Sequence, residues 1–236
     1  MKIYKLTLVV VSLLLVGCGS SDDKKNSSDI EEAKTVSAAK NNFRSLGALS
    51  NMNKGLSSLG NNLKMQKSSK SQSYPCSNGG THSSSLSADE TVINMVFNKC
   101  KQGNSYIDGE MVITENETTY TSKIVMNNLT VNDEGTDFFS KNFVFEDNSA
   151  EYWSTIDGDL KIGSKCFSGT FDFKTLEKMY EAQDNSDNIE KGKMLLNGAT
   201  YTFNNPNVTI EAGSETKTIS QAELEKEFES STSCSQ

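Results

Sequence analysis

Between Ile30 and Leu63, apolar residues return every third or fourth position, at Ile30, Ala33, Val36, Ala39, Phe43, Leu46, Leu49, Met52, Leu56, Leu59 and Leu63. That spacing puts them on one face of a helix. Gly47, Gly55 and Gly60 interrupt the pattern, and each costs about 1 kcal/mol in a helix interior. The pattern therefore predicts a helix to about Ser45 and a weaker, broken one to about Met65. Such a stripe either docks on the body of the protein or pairs with a partner helix, and docking is the commoner use. Gln66–Tyr74 (QKSSKSQSY) is polar and reads as a linker.

From Pro75 the pattern is that of strands. Thr81–Ser87, Thr91–Asn98, Tyr106–Thr114, Thr119–Met126, Phe143–Phe145, Tyr152–Ile156, Leu160–Ile162, Phe167–Phe173, Ala199–Phe203 and Val208–Glu211 are rich in aromatic and β-branched residues. Asn, Asp and Gly clusters separate them. Strands at this spacing predict a mainly β fold, an antiparallel sheet or sandwich-like body. Within Phe167-Ser168-Gly169-Thr170-Phe171-Asp172-Phe173 aromatic and polar residues alternate, which gives one apolar face. Ser220-Gln221-Ala222-Glu223 matches a capping box, so a short helix should run from there to about Glu229.

The opening, MKIYKLTLVVVSLLLVGCGSSDD, has two lysines and then a short apolar run from Leu6 to Val16. That run is well short of the roughly 20 residues that cross a bilayer as a helix. A basic start, a short apolar core and small residues at its end describe a secretory signal. Leu15-Val16-Gly17-Cys18 resembles the lipobox of bacterial lipoproteins. The resemblance implies diacylglycerol on the Cys18 sulfur, cleavage before Cys18 and acylation of the new amino group. Multiple acyl chains hold a protein stably in a membrane, whereas one alone is marginal. Gly19 rather than Asp follows the cysteine, which in that family implies the outer membrane, with the protein facing the periplasm or the cell surface. Residues 19–29 (GSSDDKKNSSD) carry no apolar side chain and form a tether with a mean reach of about 18 Å. The expected organisation is a signal at 1–17, a tether at 18–29, a helical segment with its linker at 30–74 and a β domain at 75–236.

The formal charge is −8 for the whole chain, and loss of Lys2 and Lys5 with the signal takes it to −10. An acidic balance of this size argues against nucleic acid and against lying flat on an anionic leaflet. Four cysteines besides Cys18 remain: Cys76, Cys100, Cys166 and Cys234. An even number in an exported chain favours disulfides. A closed zinc site would need more ligands than a chain with no CxxC and a lone histidine, His82, offers. A hairpin of Thr81–Ser87 and Thr91–Asn98 around Ala88-Asp89 brings Cys76 opposite Cys100. That leaves Cys166 to pair with Cys234, stapling the body.

One repeat recurs. SYIDGEMVI (Ser105–Ile113) and STIDGDLKI (Ser154–Ile162) share Ser-x-Ile-Asp-Gly-acid, with a looser echo in LLNGATY at Leu195–Tyr201. It implies similar β units side by side. Asp108/Glu110 and Asp157/Asp159 could act as acid and base or bind calcium, but no full calcium loop follows. The plainer expectation is a solvated strand edge, with Gly109 and Gly158 at bulges. His82 stands beside Ser83, Ser84 and Ser85, but neighbours in a strand face opposite sides and make a poor nucleophile–base pair. Trp153 beside Tyr152 could line a sugar or peptide site and is more often a core anchor. The layout resembles β-rich lipoproteins of Gram-negative bacteria of no known activity. The reading is thus a lipid-anchored envelope protein, non-catalytic, needing no cofactor, held to the membrane through Cys18 and serving a structural role or binding an envelope protein. The alternative is a periplasmic carrier of a hydrophobic ligand such as a lipid; an enzyme is the third choice.

Overall fold

The computed structural model describes residues 28–46, 72–89, 91–133, 136–163, 167–183 and 188–229. Cys18, Cys166, Cys234 and the stripe beyond Leu46 lie outside them. The fold is mainly β, a single antiparallel meander with a helix towards each end. After β1 (Ser28–Ile30) and α1 (Val36–Leu46) come β2 (Gln72–Pro75), β3 (Thr81–Leu86), β4 (Val92–Gln102), β5 (Ser105–Asn116), β6 (Thr121–Asp133) and β7 (Thr136–Asn148). The chain continues through β8 (Trp153–Gly163), β9 (Phe167–Glu181), β10 (Ile189–Leu196), β11 (Ala199–Asn204), β12 (Asn207–Ala212), β13 (Glu215–Ser220) and α2 (Gln221–Glu229). From β2 to β13 every strand pairs with its successor in sequence. β1 joins separately and in parallel, lying along Phe167–Gly169 of β9 beyond the point where β10 ends.

The alternation fixes which face is apolar. Met95 and Phe97 in β4, Phe143 and Phe145 in β7, Leu160 and Ile162 in β8, Phe171 and Phe173 in β9, and Tyr201 and Phe203 in β11 are buried in one contiguous cluster. At the C-terminal end the helices cover that face. α1 packs on β12 and α2, burying Val36, Ala39 and Phe43. The Phe43 ring meets Tyr201 and Phe228. Tyr201 is fully buried and its hydroxyl donates to the Ala39 carbonyl at 2.8 Å, so the one polar atom of that ring is satisfied inside the core. Lys40 Nζ donates to Glu223 at 2.6 Å and Arg44 pairs with Glu227, which ties the two helices along their outer side.

The helix start differs from the sequence expectation. Ile30 and Ala33 belong to β1 and the segment after it, and the helix begins at Val36. Thr35 caps it, its Oγ1 accepting from Ala38 N at 3.1 Å, and Glu215 accepts from Val36 N at 2.8 Å. A carboxylate there satisfies a free N–H and complements the helix dipole. Ile30 and Ala33 still bury their side chains; the three-to-four spacing continues into a segment that is not helical. Ser220 caps α2, accepting from Glu223 N at 3.1 Å, while the Glu223 carboxylate takes Lys40. Gln221 holds α2 to β10 through both amide atoms, on the nitrogen and carbonyl of Ile189.

Two sequence-predicted strands merge. Tyr152–Ile156 and Leu160–Ile162 are parts of β8, joined across Asp157-Gly158, where the register with β7 shifts. β10 and β13 escape the pattern search because lysine and glutamate interrupt their apolar alternation, which in β13 leaves Ile219 as the one buried residue. The sheet edges are blunted: β2 is short and ends in Pro75, and β13 carries Glu215 and Lys217. Such features deter edge-to-edge pairing.

Gly158 has φ +107, and a Cβ built there would lie 2.1 Å from the Asn142 carbonyl oxygen of the neighbouring strand. Gly103 also has a positive φ, but a Cβ there meets nothing within 4 Å. Gly158→Ala should therefore lose at least about 2 kcal/mol, and Gly103→Ala about 1 kcal/mol or less. Urea unfolding of the two variants checks the difference, and equal losses would contradict the backbone-contact account.

Candidate functional site

The repeated Ile-Asp-Gly-acid segments occupy equivalent bulges. Gly109 in β5 has φ +120 and presses on the Asn128 carbonyl of β6, as Gly158 presses on Asn142 of β7. The register slips at both places, between Asp108 and Glu110 in the β5–β6 pair and between Ser140 and Val144 in the β7–β8 pair. A bulge frees a backbone N–H from the ladder, and the preceding aspartate faces a similar group on the next strand. Asp108 Oδ1 accepts from Lys99 N at 2.9 Å, and Asp157 Oδ1 accepts from Thr175 N at 3.0 Å. These aspartates lie in the middle of the sheet, so the expected strand-edge placement is corrected: they satisfy bulge backbone. β5 and β8 are three strands apart, roughly 14 Å by strand spacing, too far for the two acid pairs to share one substrate atom. Glu110 stands opposite Val96 and Asn127, and Asp159 opposite Asp172.

The third echo is a different device. Asn197 (φ 48) and Gly198 (φ 80) form the two-residue turn between β10 and β11, with Leu196 opposite Ala199. Left-handed residues at both positions suit a type I′ hairpin turn. The Asn197 amide also bridges strands, accepting from Asp172 N and donating to Thr170 O, both at 2.8 Å. A shallow cleft of about 310 Å³ opens beside it, lined by Glu32, Asp172, Leu195, Asn197 and Gly198.

At the other end of the sheet, Cys76 and Cys100 form a disulfide across the hairpin that the sequence predicts. Ser87 and Asp89 build its turn: Ser87 Oγ donates to Asp89 Oδ1 at 2.6 Å and accepts from Val92 N at 2.8 Å. The structure adds His82. Its Nδ1 lies 3.6 Å from Cys76 Sγ and its ring stacks on Tyr74, the residue opposite it in β2. Burial lowers the His82 pKa below its ordinary value. Among the described residues, Cys76, His82 and Cys100 bring three such donor atoms within 4.8 Å of one another. The predicted hairpin pairs the cysteines, and the pairing of β2 with β3 brings in the histidine. A tight turn after Pro75 folds His82 back over Tyr74, and the cysteine-pairing hairpin then carries it to the sulfurs.

Trp153 is buried, with Nε1 donating to Glu151 at 2.8 Å and Lys178 Nζ 3.5 Å from its ring centroid. Its face is thus occupied by the chain itself, as expected of a core anchor. Across β7 from it lies a residue that the strand pattern passes over, Asp147. It is 3% exposed, and Oδ1 has no hydrogen-bond partner. It follows Phe143 and Phe145 at alternate positions and so falls in the apolar register, between Ser122 of β6 and Ser154 of β8. Comparison with protein-family models, with curated proteins and with solved structures finds no match.

Burial, then the charges of Glu146 and Glu115, raise the Asp147 pKa to about 6. The fold therefore holds this proton more tightly than the unfolded chain does. The resulting stabilisation is full below about pH 4 and is lost as pH rises to 6. Asp147→Asn should abolish that loss and make the variant more stable than the parent by about 1–2 kcal/mol near pH 8. Paired urea titrations at about pH 4 and pH 8 test this, and a gap between the two proteins that does not change with pH would contradict it. Non-reducing peptide mapping should recover Cys76 joined to Cys100 and Cys166 joined to Cys234; closing the first ring, with partners 24 apart in sequence, is worth about 3 kcal/mol.

Proposed function

We propose that this chain is a lipid-anchored envelope protein whose β body is a non-catalytic scaffold for a structural role or for binding another envelope protein. The lipobox-like Leu15-Val16-Gly17-Cys18 supports the anchor and an outer-membrane location. The observation that carries the scaffold reading is the filling of the apolar face over the C-terminal strands by the protein's own side chains. Ala39, Phe43, Tyr201 and Phe228 close it over the C-terminal strands, and a face packed to that degree leaves no room for a ligand. Of the four acids that might have done chemistry, Asp108 and Asp157 are engaged with backbone.

A second reading, a carrier of a hydrophobic ligand, draws support from the other half of the sheet. Ile93, Met111, Ile113, Ile124 and Met126 sit on the same face but are only partly buried, and the helices pack on β12, β13 and β1 instead. A carrier needs a concave, mostly apolar cavity, typically of ~300–1,000 Å³.

Two measurements test the proposal. Cys18→Ser should move the protein out of the detergent-extractable membrane fraction or leave it unprocessed. Cleavage before residue 18 with full retention in the membrane would end the anchor reading. Native mass spectrometry of the Cys18→Ser protein, followed by lipid extraction, should find the bare chain. Near-stoichiometric phospholipid or fatty acid would replace the scaffold with the carrier.

A further inference from the structure

We propose that Cys76, His82 and Cys100 form a redox-gated site for a thiophilic metal ion: when the disulfide is reduced, the two thiolates and His82 Nδ1 bind one d10 cation such as Zn²⁺, and oxidation of the pair releases it. The geometry is close to that of a bound site. Tetrahedral coordination with Zn–S near 2.3 Å and Zn–N near 2.0–2.1 Å sets the S···N edge at about 3.6 Å and the S···S edge at about 3.8 Å. Cys76 Sγ and His82 Nδ1 already stand 3.6 Å apart. The sulfur pair has to open to reach that edge, and Cys100 Sγ lies within 4.8 Å of the His82 donor nitrogen; with the Cα atoms 5.5 Å apart, turning the Cys100 side chain would separate the sulfurs and leave the Cys76–His82 spacing in place. Water would complete the fourth position, as in open zinc sites.

Hydrogen bonds hold the frame together with the sulfur–sulfur bond. Cys76 N donates to Gly80 O at 3.0 Å, Asn78 N to Lys101 O at 3.0 Å, Lys101 N to Gly79 O at 2.8 Å, and Gly103 N to Asn78 Oδ1 at 2.9 Å. The first closes the Cys76–Gly80 turn, the next two tie it to β4 through backbone, and the Asn78 side chain adds a bond to the turn that follows β4. A Cβ built at Gly80 would lie 2.0 Å from the Lys99 carbonyl oxygen, so the turn lies directly on that strand. The three ligands come from three places, just after β2, β3 and β4; His82 is paired with Tyr74 and Phe97, and Cys100 with Ile107. Stacking on Tyr74 sets the imidazole plane, and partial burial lowers its pKa, which favours the neutral form that a metal ligand requires. A structural disulfide needs no basic nitrogen at its edge; a metal site does.

The chemistry balances. A dithiol reductant delivers two electrons and two protons to the Cys76–Cys100 bond and leaves as its own disulfide. Binding of the cation then releases one proton from each thiol. Reoxidation by a disulfide oxidant takes two electrons from the thiolates, re-forms the Cys76–Cys100 bond and frees the cation, while the oxidant takes up two protons from solvent and leaves as its dithiol.

The test uses the full chain with Cys18, Cys166 and Cys234 changed to Ser, so that Cys76 and Cys100 hold the sole thiols. It is reduced with a phosphine, which leaves as the phosphine oxide with its oxygen from water, and the phosphine is removed under nitrogen. Co²⁺ is titrated as a spectroscopic probe, with Zn²⁺ as competitor. The expected result is one thiolate-to-cobalt charge-transfer band per chain, displaced by Zn²⁺ and absent from the oxidised protein. His82→Ala should weaken binding at least tenfold. His82 is the only histidine, so its ring resonances are assigned by inspection and should shift with one equivalent of Zn²⁺. Absence of the band, the same affinity in His82→Ala, or equal cobalt binding after Cys76 and Cys100 are also changed to Ser would each overturn the site. Circular dichroism follows folding: a reduced chain that is unfolded and regains structure with Zn²⁺ supports the proposal, and one that stays unfolded refutes it.

Discussion

A long antiparallel meander with one apolar face has to bend around that face or leave it in water, and this constraint governs the rest of the molecule. Bulges supply the bend. Each adds a residue to one strand, increases the local twist and turns the strand. Here the register slips beside Lys99 in β4, at Asn128 of β6 opposite Gly109, and in β7 opposite Gly158, so the bending is shared across several strands of the sheet. A bulge also leaves backbone N–H groups unpaired, and a buried unpaired donor is costly. Asp108 and Asp157 answer that need at two of the bulges. The repeated Asp-Gly is thus one structural device used twice, a residue that permits the backbone bend and a carboxylate that repairs the ladder beside it.

Covering the face is the second half of the same problem. At the C-terminal end of the sheet β1, α1 and α2 do it, and the segment from β1 to α1 is locked there by polar groups that find partners inside the packing. Asn42 donates to the Glu31 carbonyl at 2.7 Å, Ala33 N donates to Asn197 O at 2.7 Å, and Tyr201 reaches Ala39. Asp147 is the exception, a carboxyl in the apolar register without a partner on Oδ1. Its raised pKa is the thermodynamic expression of that mismatch.

Much of the architecture was legible in the residues. The change from a three-to-four period to alternation separates the helical segment from the sheet. Ser220 marks the start of the last helix, and the cysteine-flanked hairpin pairs Cys76 with Cys100. Failures came where local chemistry carries two meanings. Asp157-Gly158 reads as a strand break and is a bulge within β8; Asn197-Gly198 looks like another copy of that repeat and is a hairpin turn. Ile30 keeps the helical spacing while sitting in a strand, because burial on one side is all that spacing reports.

By itself, then, the sequence determined the fold class, the apolar face, the strands that carry it and the hairpin that joins the first two body cysteines. These are local properties, set by side-chain alternation and turn preference within a few residues. Tertiary structure alone decided where β1 enters the sheet, which strands the helices cover, that the repeated aspartates serve neighbouring strands, and that His82 and Asp147 occupy the settings they do. Each of those depends on groups brought together from distant parts of the chain. His82 is six residues from Cys76 but eighteen from Cys100, and only the stacking of β2, β3 and β4 places its ring nitrogen beside the sulfurs.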